Sequence, residues 1–432
     1  MQFSNNLKKY IISICTTSIF IFSAQSFAGA FQLWEESAAS LGDYHAGAAA
    51  EANNAGTIFY NPAGMSRMKH QQISAGVVFI NLGATYNGTV TIGGYQTATT
   101  VGIPGNTYNI VPNFHYVLPI NDRWAVGLEE TTPFGASTNY NDFNSVVDNV
   151  EDLATETKLE TINLNPSVSY AINHYVSVGA GFDAMYGEAI YNSEAIFAPL
   201  DNTLTGWGYG YNAGVLFQFT PETRAGLSYR SAITIPAVGQ SDYNGGVGNT
   251  NSSTVSANFP LPATTMMSVY HDINHRLAIM ASAFYTQWSC FQSLIINNMA
   301  QGPGSPNATV GLNENYHNTW NFAIGTRYRF NQHFALEAGA GHDETPTSLP
   351  YRDIRLPDAS HYVVSFGLNV RPTPTVECSI GWTHLFLGNT PVDNSGSFNA
   401  GQSTINPSFF PIGQGTVNSS VNIFGIQLTF NV

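Results

Sequence analysis

Charge is scarce in this chain, and positive charge is scarcer still. Of 432 residues only 10% are Asp, Glu, Lys or Arg, with 14 basic side chains against 28 acidic ones. A soluble domain usually carries roughly 25% charged residues, so a large water-facing surface is a poor fit. The formal net charge of −14, with no basic cluster, argues against a nucleic-acid partner. Cysteine is nearly missing, at three residues. Cys15 lies in an N-terminal apolar stretch without a lipid-attachment pattern, while Cys290 and Cys378 read better as small buried hydrophobes than as a pair. Past that stretch, no apolar run reaches the about 20 residues of a membrane-spanning helix. Aromatic residues, by contrast, make up 13% of the chain. Low charge, many aromatics and no long apolar run fit strands that meet lipid on one face only.

The first residues read as a signal peptide over 1–28. Lys8 and Lys9 precede an apolar Tyr10–Phe22 stretch, and Ser26-Phe27-Ala28 supplies a small-x-small cleavage site. Removing it leaves 404 residues (432 − 28), and losing its two lysines takes the net charge from −14 to −16.

From residue 71 to 432 the pattern is that of an all-β protein, a 14-stranded antiparallel transmembrane β-barrel. Strands are expected near 73–80, 110–119, 123–132, 161–171, 174–187, 207–219 and 222–233, then 263–271, 276–289, 318–330, 333–342, 360–370, 374–386 and 420–430. Apolar residues alternate with polar ones at period two, as where Tyr362, Val364, Phe366, Leu368 and Val370 oppose Ser365, Gly367, Asn369 and Arg371. Connections after odd-numbered strands are long; those after even-numbered strands are tight turns such as Asn121-Asp122, Asn173-His174 and Asn331-Gln332. An even strand count with long loops on one rim and short turns on the other marks an outer-membrane barrel. The connections 81–109, 234–262, 290–317 and 387–419, rich in Gly, Asn, Ser and Thr, are then extracellular loops. One loop carries helical spacing: Asn141-Asp142 precedes Phe143, Val146, Val147, Val150 and Leu153. Such an apolar stripe either packs on the barrel mouth or receives an apolar ligand during extracellular capture.

Residues 29–70 lack strand alternation and are dense in Ala and Gly, which suits an N-terminal hatch folded into the lumen. Phe31-Gln32-Leu33-Trp34-Glu35-Glu36-Ser37, Leu41-Gly42, the spaced alanines from Ala46-Gly47 to Ala55, and Asn61-Pro62-Ala63 follow in order. Pro119-Ile120-Asn121-Asp122, Trp207–Gly214, Tyr229-Arg230-Ser231 and Arg352–Asp358 come later. This ordered set resembles the FadL/TodX family of outer-membrane transporters for long-chain fatty acids and other hydrophobic compounds. The resemblance implies a plugged barrel that captures ligand at its extracellular loops, holds it in an interior apolar pocket and releases it sideways past a kinked third strand. It places Phe31 at the pocket-closing position, Asn61, Pro62 and Ala63 in the hatch motif, and the lateral gate at Pro133, Phe134 and Gly135. Independently, Pro removes a ladder donor and Gly loosens a strand, although the same residues could simply end a strand before a loop.

The family's carboxylate-meeting basic positions fall here on Ser193 and Leu312. Either another lumenal arginine serves (Arg224, Arg230, Arg327 or Arg329), or the substrate is neutral. Those arginines read better, however, as structural partners of lumenal carboxylates such as Glu129, Asp183, Glu337 and Glu377. The implied partners are long-chain fatty acids or similar hydrophobic molecules and outer-membrane lipids, with a channel for neutral aromatic hydrocarbons as the alternative. No cofactor, no metal and no nucleic acid is expected, and the chain reads as a monomer. No G-x-S-x-G elbow is present, and His271, His275 and His342 fall in a turn or a loop rather than in a ligand set.

Overall fold

A computed structural model describes residues 29–141, 150–194, 198–245 and 248–432, with only the backbone of residues 95–100. Fourteen strands close a ring. They are β1 (Gln72–Ile92), β2 (Thr107–Pro119), β3 (Trp124–Thr131), β4 (Glu156–Ala171), β5 (Val176–Tyr191), β6 (Pro199–Gln218) and β7 (Thr223–Arg230). The circuit continues with β8 (Thr264–Asp272), β9 (Leu277–Thr286), β10 (Thr319–Arg329), β11 (Phe334–Asp343), β12 (His361–Thr373), β13 (Val376–Asp393) and β14 (Ile412–Asn431). Each pairs antiparallel with its sequence neighbour, and β14 returns to β1 from Gln72 opposite Asn431 to Thr91 opposite Ile412. Closure leaves no edge strand, the condition for a sheet to stand in hydrocarbon.

The alternation sorts lipid from lumen. Ile324 and Phe366 are 66% and 57% exposed on the outer face, whereas their neighbours Ala323 and Ser365 are buried inside. The tight turns share one device. Asn121, Asn173, Asn274 and Asn331 each accept, through Oδ1, the amide hydrogens two and three residues ahead at 2.8–3.0 Å. A side-chain acceptor replaces the missing ladder partner and fixes the reversal.

The long connections differ from expectation. Tyr95–Pro104 folds back on β1, and Ile233–Gly245 with Gly248–Leu261, and Ser293–Met299 with Ala308–Asn313, form further hairpins. These stand where loops are expected, because neither face of a strand beyond the bilayer needs an apolar set. β-branched Thr and Val suffice to form them.

Residues 29–70 make four helical turns, Ala38–Ser40, Ala48–Glu51, Thr57–Tyr60 and Pro62–Arg67, enclosed by the ring. Glycines on the inner face make room for this plug. A methyl at Gly226 of β7 would stand 1.8 Å from the Ala49 carbonyl oxygen, at Gly179 of β5 2.4 Å from the Ala63 nitrogen, and at Gly339 of β11 2.3 Å from Asp43 backbone. Further seats lie at Gly367, Gly381 and Gly425 on β12, β13 and β14. Asn61-Pro62-Ala63 has a local cause. Asn61 Oδ1 caps the last turn at the Ala63 amide (3.1 Å), while its Nδ2 donates to the carbonyls of Ala49 (2.7 Å) and Val215 (3.0 Å). Pro62 occupies the first helical position, where no amide hydrogen is needed.

Candidate functional site

The ladder breaks after β3. Residues 132–134 leave it, and the chain resumes as Gly135–Asn139 against β4, with Gly135 opposite Glu160. The strand is therefore kinked rather than ended. Every residue from Thr131 to Thr138 is buried, so the alternation of a lipid-facing wall is lost there. The Thr161 hydroxyl of β4 donates to the Phe134 carbonyl (2.8 Å) and accepts from the Phe134 amide (3.0 Å). The plug's tip takes the rest. Leu33 N–H donates to Pro133 O (2.9 Å), Gly135 N–H to Phe31 O (2.7 Å), and Thr132 N–H to Glu36 Oε2 (2.7 Å). Phe31 to Leu33 thus act as a short substitute strand on the inner side of the break.

On the far side, β2 pairs with β3 only from Phe114 to Pro119. Above that, side chains bridge the two: the Thr107 hydroxyl donates to Ser137 O (3.3 Å), and the Ser137 hydroxyl to Asn109 Oδ1 (3.4 Å). No backbone ladder crosses this part of the wall among the described residues.

Phe31 also reaches inward. Its ring centroid lies 4.6 Å from Trp288, 5.7 Å from Phe291 and 6.3 Å from Phe134. Phe31 and Phe291, with Leu159, Leu204, Leu294 and Leu312, line an inner cavity of about 80 Å³. On this measure a water needs roughly 10–15 Å³, so the space holds a handful of waters and is narrow as it stands. A larger cavity of about 530 Å³ lies among the loops, with Leu153, Leu200, Met299, Val310, Phe409 and Phe410 on its walls. Tyr191, Leu312, Asp353 and Arg355 belong to both. At the inner cavity, burial pushes the Glu314 carboxyl up to about 8; Asp353 adds to the shift and Arg355 opposes it.

Phe143, Val146 and Val147 lie outside the described residues. Val150 is buried, and Leu153 faces the larger cavity. The four singled-out arginines line neither cavity. Arg230 pairs with Asp183 and with Glu129 (3.3 Å), and it donates to the Phe59 carbonyl (3.2 Å). Arg327 joins Glu337 of the wall to Glu51 of the plug, with Asp43 at 3.6 Å. Arg224 donates to the carbonyls of Ala50 (3.0 Å) and Glu51 (3.1 Å), and Arg329 pairs with Asp272 (2.8 Å). Ser193 and Leu312 both line the larger cavity, and both are neutral.

Residues 19–431 match the family model described as outer membrane protein transport protein (OMPP1/FadL/TodX). The chain belongs to this family. A long-chain fatty acid transport protein of Escherichia coli O6:H1 is 28% identical over 418 residues, 86% of this chain and 90% of the relative. A FadL homologue of Pseudomonas aeruginosa superposes with a TM-score of 0.80 at 24% identity, covering 94% of this chain and all of that one. The Pseudomonas putida toluene transporter TodX superposes at 0.66 with 15% identity, over 94% of this chain and 100% of its own. Membership places this FadL/TodX barrel in the bacterial outer membrane, so its exposed aromatic and aliphatic band is the lipid face. Sequence reading missed Arg355, Phe291 and Leu294 on the cavity walls of this FadL/TodX barrel. Only Arg355 had a signal, as a second basic residue in the Arg352–Asp358 segment.

Proposed function

We propose that this chain carries long-chain fatty acids or similar hydrophobic solutes passively across the outer membrane. Solute enters the loop cavity, passes to the inner cavity and leaves through the break beside β3 into the membrane. One observation carries the reading: the plug's tip touches both the inner cavity and the exit of that route. Phe31 walls the inner cavity, while the same three-residue stretch is hydrogen-bonded into the break. Displacing the tip would enlarge the cavity and release the break's backbone together. Transfer of an acyl chain from water needs no coupled energy, since each buried CH₂ is favourable by about 0.8 kcal/mol. The reading is of a transporter rather than a catalyst, acting as a single chain among outer-membrane lipids.

Uptake of labelled oleate by cells with and without the protein tests this. Faster uptake with the protein is expected, and equal uptake in both strains would count against the fatty-acid assignment. The neutral alternative, an aromatic-hydrocarbon channel, is favoured by the uncharged Ser193 and Leu312 in the loop cavity. Selective uptake of toluene over oleate would support it.

A further inference from the structure

Arg355 is 7% exposed and stands at the junction of the two cavities. Its guanidinium donates to the Thr157 hydroxyl (3.0 Å), the Asn192 carbonyl (3.2 Å) and the Leu153 carbonyl, and lies 3.7 Å above the Tyr191 ring. All of these partners are neutral. No described carboxylate is in ion-pair contact with it. The Asp353 carboxylate nearby is occupied by the Arg355 amide (3.1 Å) and the Asn394 amide group (3.0 Å). A buried cation held only by neutral groups is costly unless an anion completes it.

The other cation on the inner cavity differs. Lys158 already meets Glu160 at 2.6 Å and Glu188 at 3.5 Å. The four lumenal arginines are engaged with the plug or the wall and face neither cavity. Arg355 is therefore the cation on both cavities whose guanidinium has no ion-pair contact among the described residues. Glu314 and Asp353 act on it only through space, and mainly apolar walls lie on both sides of it.

We propose that Arg355 is the head-group anchor of this transporter, binding the carboxylate of an anionic amphiphile whose tail lies in the adjoining apolar cavity. It supplies from the Arg352–Asp358 loop the charge that Ser193 and Leu312 lack. The inference rests on the transport reading and narrows its substrate class from hydrophobic solutes to anionic ones.

Equilibrium binding of radiolabelled oleate and oleyl alcohol to the detergent-solubilised full chain tests it, since the two ligands differ only in the head group. The wild type should prefer oleate. Arg355→Gln should weaken oleate by about tenfold, the scale of a charge-assisted hydrogen bond, and leave oleyl alcohol within about twofold. Arg355→Lys should recover part of the loss. An unchanged oleate-to-alcohol ratio in Arg355→Gln would overturn the proposal. So would a parallel loss of both ligands, which would mark Arg355 as a packing residue. A ratio that falls in Lys158→Gln but not in Arg355→Gln would move the anchor to Lys158 and overturn it too. If the wild type bound neither ligand, the transport reading itself would fail, a result distinct from the loss of preference alone.

Discussion

Replacing Arg327 by Met should unseat the plug. Arg327 is the cation that joins Glu337 on β11 to Glu51 and, at 3.6 Å, Asp43 on the plug. All four side chains are at most about one-tenth exposed, so bulk water cannot screen what is left behind. Breaking a buried pair by removing one partner costs about 3–5 kcal/mol, mostly because the remaining charge is stranded. Here the stranded carboxylates would also repel one another across the plug–wall contact. At 1.4 kcal/mol per tenfold, the fraction of barrels with an open plug should rise by roughly 100- to 4000-fold. Planar-bilayer conductance reads this directly, as frequent openings where the wild type is quiet. The quadruple variant Arg327→Met, Asp43→Asn, Glu51→Gln, Glu337→Gln removes the stranded charge and should be quiet again. A single variant that seals as well as the wild type would refute the account, as would a quadruple variant that leaks like the single one.

Gly226→Val should leak similarly, since its Cβ would stand 1.8 Å from the Ala49 carbonyl oxygen, whereas Gly83→Ala, with only ordinary contacts near 3.7 Å, should not. Phe31→Ala should enlarge the inner cavity and, by the usual range for a buried Phe, cost about 3–5 kcal/mol. Thermal unfolding and basal ion leak would both register it, and unchanged values would argue against a tightly held tip. Burial raises the Glu35 carboxyl to about 7, so its share of stability is full below about 4.5 and lost as pH rises through 7, roughly 3 kcal/mol in all. Burial lowers the His45 imidazole to about 3, so its share is full above about 6.5 and lost as pH falls toward 3. Glu35→Gln should therefore make the decline in thermal stability between pH 4.5 and 7 shallower and leave the acid limb in place, while Glu314, which burial also raises, keeps part of the decline. A decline as steep as the wild type's in the variant would refute the Glu35 share.

The ring was legible because lipid imposes period two on any strand that crosses it. Phe322, Ile324, Tyr328 and Phe330 had to face one way, and the Asn-led turns marked the short rim. Above the bilayer that constraint stops, so the hairpin over 248–261, made largely of Asn, Ser and Thr, looked like loop. The kink at Pro133 was visible as composition but ambiguous, because Pro and Gly end strands as readily as they bend them. Only the renewed pairing of Gly135 with Glu160 separates the two. The cavities were illegible, since Leu159, Leu204 and the paired Leu294 and Leu312 sit on three separate parts of the chain and converge only when the ring closes. The pairing of Arg230 with Glu129 and Asp183 and of Arg327 with Glu337 was legible as lumenal charges on the barrel wall, but the plug's Asp43 and Glu51 as further partners of Arg327 were not. Arg355 was hidden because a loop arginine gives no sign of being left without one.

The glycine seats on strands from β5 to β14 bear on the order of assembly. Plug backbone lies within a methyl's radius of the wall along most of the circumference, leaving no clearance through which a folded plug could slide into a finished ring. The plug must then be gathered while the seam between β1 and β14 is still open, so that the last strand pairing, at Gln72 and Asn431, seals a lumen already filled. Residues 29–70 would in this way act as a mould for the barrel before they act as its stopper.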